Sequence, residues 1–108
     1  MKKPADDALE SDTFSRLFEA LHEGVYIGYL QADHTVTLAA NPHLRLMFGW
    51  DHLVPAADVR PFDPERFVDE QARLDFLQQL ARDGSLRDYL LRLRRADGSA
   101  LWVEVTAR

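Results

Sequence analysis

Apolar positions recur along this chain with two different periods, and the periods divide it into elements. Phe14, Leu17, Phe18 and Leu21 fall at i, i+3, i+4 and i+7, one stripe of a helix over 12–22. Asp12 can cap this helix and Gly24 can end it, while the polar residues 1–11 are expected to form a disordered tail. GVYIGYL (24–30) is rich in β-branched and aromatic residues and reads as a strand; QADH turns, and TVTLAA (35–40) reads as its hairpin partner. NPHLRLMF (41–48) predicts a short helix with Asn41 as cap, Pro42 at the first helical position and Gly49 as the stop. Residues 50–62 are irregular, broken by Pro55 and Pro61. A long helix follows, capped by Asp63, with Pro64 at its first position, Glu65 near the positive end of its dipole and Gly84 at its end; Phe67, Leu74, Leu77 and Ala81 mark its apolar face. SLRDYLLRLRR (85–95) and SALWVEVTAR (99–108) read as two closing strands around a turn at 96–99.

Within those strands the alternation assigns faces. Tyr89, Leu91 and Leu93 share one side, with Leu90, Arg92 and Arg94 on the other; Leu101, Val103, Val105 and Ala107 oppose Trp102, Glu104 and Thr106. One face is aliphatic and the other mixes an aromatic ring with polar groups, as in an antiparallel sheet with one side on a core and one side wet. The elements together predict an α+β domain.

Length and composition narrow the picture. The 108 residues suit one domain, and 46% apolar residues supply a core. A net charge of −5 argues against a dedicated nucleic-acid binder, which needs a basic face. There is no cysteine, so disulfides, thiolate zinc sites and cysteine nucleophiles are excluded. No apolar run approaches the ~20 residues of a membrane helix, and the start MKKPADDALESD lacks the apolar stretch of a signal peptide. A soluble cytoplasmic chain is expected.

Few residues suggest chemistry. Asp63, Glu65, Asp69, Glu70 and Asp75 fall on the polar side of the long helix, where a solvated face explains them better than an acid–base pair. Ser11, Ser15, Ser85 and Ser99 sit at caps and turns, without a nucleophile elbow, and no glycine loop can cradle a phosphate. His22, His34, His43 and His52 lack metal-ligand spacing. Arg87, Arg92, Arg94 and Arg95 surround the last hairpin and read as a solvated strand face, their stems covering apolar surface. No enzyme is expected in this domain.

Four phrases in order, EGVYIGYL, AANPHLRLMFGW, RFVDEQARLDFLQQLARDG and LRLRRADGSALWVEVTAR, resemble the PAS domain family over residues 12–108. The resemblance implies a single domain, with an N-terminal helix 12–22 and a core 24–108, built on a five-stranded antiparallel sheet, order B-A-I-H-G in the family's lettering, with helices on one face. It implies a sensory or regulatory module in signal transduction, upstream of an output such as a histidine kinase of a two-component system or a diguanylate cyclase. Strand I would follow H and lie between A and H. This sequence ends with H, so strand I is expected to be missing, and the chain reads as a piece of a longer protein. The A and H strands then either pair directly or leave a slot that another chain fills.

The resemblance also directs attention to a core pocket between sheet and helices. The aliphatic face would line it, with Leu91, Leu93, Val103 and Val105, Leu77 from the long helix and Tyr26 adding a hydroxyl. The same residues make an ordinary closed core, which accounts more simply for a face so poor in polar groups. A covalent flavin photocycle is excluded by the absence of Cys, and haem is not expected, since residues 64–82 hold no His. Phe14, Leu17, Phe18 and Leu21 of the first helix, with Ile27, Tyr29 and Trp102 on the outer sheet face, are the expected interface of a homodimer or of the helix folded back in cis. A small-molecule ligand and an output domain in the parent chain are the other expected partners; nucleic acid and a membrane span are not. A purely structural dimerisation scaffold is the competing expectation.

Overall fold

The sequence Asn41-Pro42 starts a helix for reasons of local chemistry. The Asn41 Oδ1 accepts the Leu44 N–H at 3.0 Å, closing a donor that the first turn leaves orphaned, and Pro42 fills a position where no N–H is needed. In a computed structural model, which describes residues 4–31 and 34–108, this helix is the second of three. The order is α1 (Pro4–Ala20), β1 (Tyr26–Leu30), β2 (Thr35–Ala40), α2 (Pro42–Phe48), two single 3-10 turns (Ala56–Asp58 and Pro64–Arg66), α3 (Glu70–Asp83), β3 (Leu86–Arg94) and β4 (Ala100–Ala107). Gly49 and Gly84 end α2 and α3 at φ 79° and 71°, left-handed conformations that cost a Cβ-bearing residue about 1–2 kcal/mol.

Two helix boundaries differ from expectation. The first helix begins at Pro4 rather than Asp12, so most of the expected tail is helical; Asp12 does not cap but pairs with Arg16 one turn on, at 2.7 Å. Residues 1–3 of that tail and residues 32 and 33 of the QADH turn lie outside the described residues. The long helix starts at Glu70, capped by Asp69, whose side chain accepts the Gln71 N–H at 3.0 Å. Asp63 instead turns inward, taking a hydrogen bond from the Thr35 hydroxyl and lying 3.3 Å from Arg60 Nε, and Pro64 opens only a 3-10 turn. Phe67 leaves the helical path altogether and bridges Leu93 on β3. The buried face of α3 is accordingly Arg73 and Phe76, with Leu77 and Leu80 half-buried, while Leu74 and Ala81 of the expected stripe are exposed.

Of the two arrangements expected for the A and H strands, direct pairing is not found: among the described residues the strands form two antiparallel hairpins, β1–β2 and β3–β4, that share no ladder. In β3 and β4 the faces are as the alternation predicts, with Leu91, Leu93 and Val103 buried and Leu90, Arg92, Trp102 and Glu104 exposed. Between the hairpins and the helices sits a core of Phe48, Phe67, Phe76, Leu86, Leu91, Leu93 and Val103. Stacked and tilted ring contacts knit it together, with Phe76 5.9 Å from Phe62, 6.1 Å from Phe67 and 5.7 Å from Tyr89.

Candidate functional site

The β1–β2 register slips between Ile27 and Gly28, where Leu38 is the extra residue on β2, and Gly28 stands at this irregularity where no side chain fits. A Cβ at Gly28 would run into the Val36 carbonyl oxygen and come within 2.8 Å of the Tyr26 ring, which lies across it. Tyr26 Oη donates to the same Val36 carbonyl at 3.2 Å and sits 3.3 Å from Thr37 Oγ1, which in turn donates to the Val59 carbonyl at 2.6 Å. The Tyr26 hydroxyl is thus engaged within its own hairpin, while its ring meets Phe62 edge-on at 5.3 Å.

Those rings form one wall of a cavity of about 410 Å³ that opens between the two hairpins. β1 contributes Tyr26, Gly28, Tyr29 and Leu30; β4 contributes every residue from Val103 to Ala107, with Arg108 after it. Leu44, Met47 and Phe48 of α2, Phe62 of the loop and Phe76 and Leu80 of α3 close the rest. The interior is aromatic and aliphatic, and the polar groups, Glu104, Thr106 and Arg108, are exposed at its rim. Such a lining suits an apolar molecule of modest size held by shape rather than by placed hydrogen bonds.

The structure brings together three of the six residues expected to line a pocket: Tyr26, Val103 and Val105. Leu91 and Leu93 are 1% and 0% exposed and belong to the packed core instead, and Leu77 lines a smaller hollow with Leu30, Leu80 and Ala81. Phe48, Phe62, Phe76, Met47 and Leu80 were not anticipated in the cavity. For Phe76 and Leu80 the signal was present, since Arg73, Phe76, Leu77 and Leu80 also fall at i, i+3, i+4 and i+7. No family model matches this chain, and no curated protein matches it.

The expected interface residues lie outside this cavity except for Tyr29. Phe14, Leu17, Leu21, Ile27, Tyr29 and Trp102 are exposed and Phe18 is half-buried, its ring stacked on Phe14 at 5.8 Å. The first helix therefore does not fold back over the sheet in this structure. It is tied in near its C-terminal end, where Asn41 Nδ2 donates to the Phe18 carbonyl at 3.3 Å and the Glu23 carbonyl at 2.7 Å. Val36 and Leu38 also face outward on β2, while Thr35 and Thr37 face inward to Asp63 and Val59.

Charged groups form local pairs. Arg73 hydrogen-bonds Glu70 at 2.5 Å and holds that carboxyl below its ordinary range, and Arg82 does the same for Asp83. Glu104 is the exception: a hydrogen bond with the Asp88 carboxyl, and repulsion from its charge, push Glu104 above its ordinary value. Arg92 lies over the Trp102 ring at 5.8 Å. Among the described residues no group of three or more His, Asp or Glu is placed to hold a metal ion, and no helix is long and apolar enough to cross a membrane.

Proposed function

We propose that this chain is a sensory or regulatory module of the PAS type, non-enzymatic in itself, that binds a small apolar molecule in the cavity between its hairpins. The observation that carries the reading is the cavity: about 410 Å³, walled by both hairpins, α2 and α3, with an aromatic floor. Occupancy would change how the two hairpins sit against α2 and α3, and so shift the population of two packings. The output domain, a histidine kinase or diguanylate cyclase, would belong to the parent chain. The expected strand order, in which A and H are not neighbours, is part of the same proposal, and the lack of a ladder between the two hairpins among the described residues supports it.

A native mass spectrum taken beside a denaturing one tests this. The proposal expects a mass above that of the chain which disappears on denaturation. A spectrum of the bare chain, unchanged by incubation with an extract of small apolar molecules, would count against it.

The alternative, a dimerisation scaffold without a ligand, is favoured by the outer surface. Phe14 and Leu17 on α1 are 58% and 61% exposed, and Tyr29, Leu90 and Trp102 on the sheets are 62%, 63% and 67% exposed. Apolar surface of this extent marks an interface more often than bare surface. In that reading α1 of one copy would cover the outer sheet face of another, and a dimer without added mass is its signature.

A further inference from the structure

This sequence has no cysteine, so an oxidant that attacks sulfur must attack methionine. Of the two methionines, Met47 lies among the described residues, and it stands where two segments cross. Met47 is on the last turn of α2, and the 23–25 segment between α1 and β1 runs over that helix. A Cβ on Gly24 would come within 2.9 Å of the Met47 Sδ and 3.3 Å of the Leu44 Cα and Cβ. The thioether is therefore packed against the backbone of Gly24. The φ of Gly24 is not positive, so it is this crossing, rather than the backbone angle, that sets the space at 24.

The crossing is held by polar bonds on either side of an apolar seat. Asn41 Oδ1 accepts the Val25 N–H at 2.8 Å, Asn41 Nδ2 donates to the Glu23 carbonyl at 2.7 Å, and the Asn41 N–H donates to the Val25 carbonyl at 3.0 Å. These bonds flank Gly24, and Gly24 itself rests on Leu44 and Met47. α1 follows directly upstream. It is tied in by the longer Asn41–Phe18 bond at 3.3 Å, with Phe14, Leu17 and Leu21 exposed. Whatever unseats the crossing loosens α1.

Met47 is half-buried, whereas Phe48 beside it is 2% exposed and sealed in the core. Hydrogen peroxide reacts with a thioether in one step. The sulfur attacks one peroxide oxygen, the O–O bond breaks as the S–O bond forms, and the other oxygen leaves as water after proton transfer. Sulfur gives up two electrons and the peroxide takes them. The product exchanges a pliable apolar group for a polar one. The Leu44 Cα and Cβ that share the seat offer a sulfoxide oxygen no donor.

We propose that Met47 is an oxidation-sensitive latch: its conversion to the sulfoxide by a peroxide unseats Gly24 from α2 and releases α1. Reduction by a methionine sulfoxide reductase, which draws two electrons from thiols and releases the oxygen as water, seats it again. This inference does not rest on the small-molecule reading, since it needs neither an occupant of the cavity nor an output domain.

The test treats the whole 108-residue chain with hydrogen peroxide under folding conditions. It reads sulfoxide at Met47 by peptide mass spectrometry and residue-resolved amide exchange. Oxidation of Met47 is expected within about tenfold of its rate in the urea-unfolded chain, as for an accessible thioether. Exchange is expected to quicken about tenfold or more at Val25 and Leu21. Leu44, whose N–H is bound to the same Asn41 Oδ1 from within α2, should keep its rate, as should the amides of α3, β3 and β4. Reductase with dithiothreitol should restore the original rates. Met47→Leu keeps the apolar volume without the sulfur and is expected to fold and to ignore peroxide. Sulfoxide that forms only as fast as the chain unfolds would overturn the proposal, as would Met47 sulfoxide with Val25 and Leu21 unchanged. So would faster exchange throughout the chain, which is damage rather than a latch, or an equal response in Met47→Leu, which would assign it to another residue. Failure here leaves the mass-spectrometric test of ligand retention standing, and the reverse also holds.

Discussion

The Asn41 side chain uses its full hydrogen-bonding capacity while wholly buried: Oδ1 receives the Val25 and Leu44 N–H groups and Nδ2 gives to the Phe18 and Glu23 carbonyls. It therefore joins the end of α1, the start of β1 and the first turn of α2. Asn41→Ala removes a cap and strands buried partners, and is expected to cost roughly 2–4 kcal/mol in a urea titration. Asn41→Asp keeps both accepted bonds and loses both donated ones, so it should loosen α1 while leaving α2 intact by hydrogen exchange. Gly28→Ala forces a methyl group against the Val36 carbonyl, a backbone atom that cannot rotate away, and should cost about 1–3 kcal/mol. Glu104 gives a pH dependence. Its folded value is raised, so the folded state binds more protons than the unfolded one, and stability falls as pH rises through and just above the ordinary glutamate range. Glu104→Gln should flatten that part of the profile and leave the neutral-pH protein more stable; an unchanged profile would contradict the pairing with Asp88.

At the scale of elements, what the sequence made legible were the segments whose chemistry is local. Asn41-Pro42 and Gly49 bound α2, Gly84 ends α3, and the alternation in 89–93 and 101–107 assigns the faces of β3 and β4. What it concealed was settled by distant partners. Asp63-Pro64-Glu65 has the form of a helix start, but Thr35 and Arg60 draw Asp63 inward and Phe67 is claimed by Leu93, so the helix waits until Asp69. β2 carries Thr35 and Thr37 inward because polar partners await them there, the reverse of a simple apolar-inward strand. The cavity shared this fate: Val103 and Val105 were legible from alternation, whereas Phe62 and Met47 reach it only through loop and helix packing. Two substitutions separate the candidate caps. Asp69→Ala should cost about 1 kcal/mol and reduce helicity at 70–73. Asp63→Ala should cost more, through the stranded Thr35 hydroxyl, without changing the helicity of α3.

For the whole molecule, the two hairpins and their exposed outer faces matter most. Ile27, Tyr29, Val36 and Leu38 on one hairpin and Leu90 and Trp102 on the other remain exposed, and so do Phe14, Leu17 and Leu21 of the first apolar stripe. If α1 joins two copies through these faces, Leu17→Asp should lower self-association in sedimentation without loss of folded structure, because Leu17 is exposed in the single chain. The account depends most on β1 and β4 being unpaired edges over one cavity. Residue-resolved amide hydrogen exchange of the free chain tests that directly. The predicted result is fast exchange for the amides of β1 and β4 that point away from their hairpin partners, beside slow exchange for those that point toward them, and slowing of both fast sets together when the cavity is filled. Slow exchange on both outward edges of the free chain would show the hairpins joined in one sheet, and would contradict it.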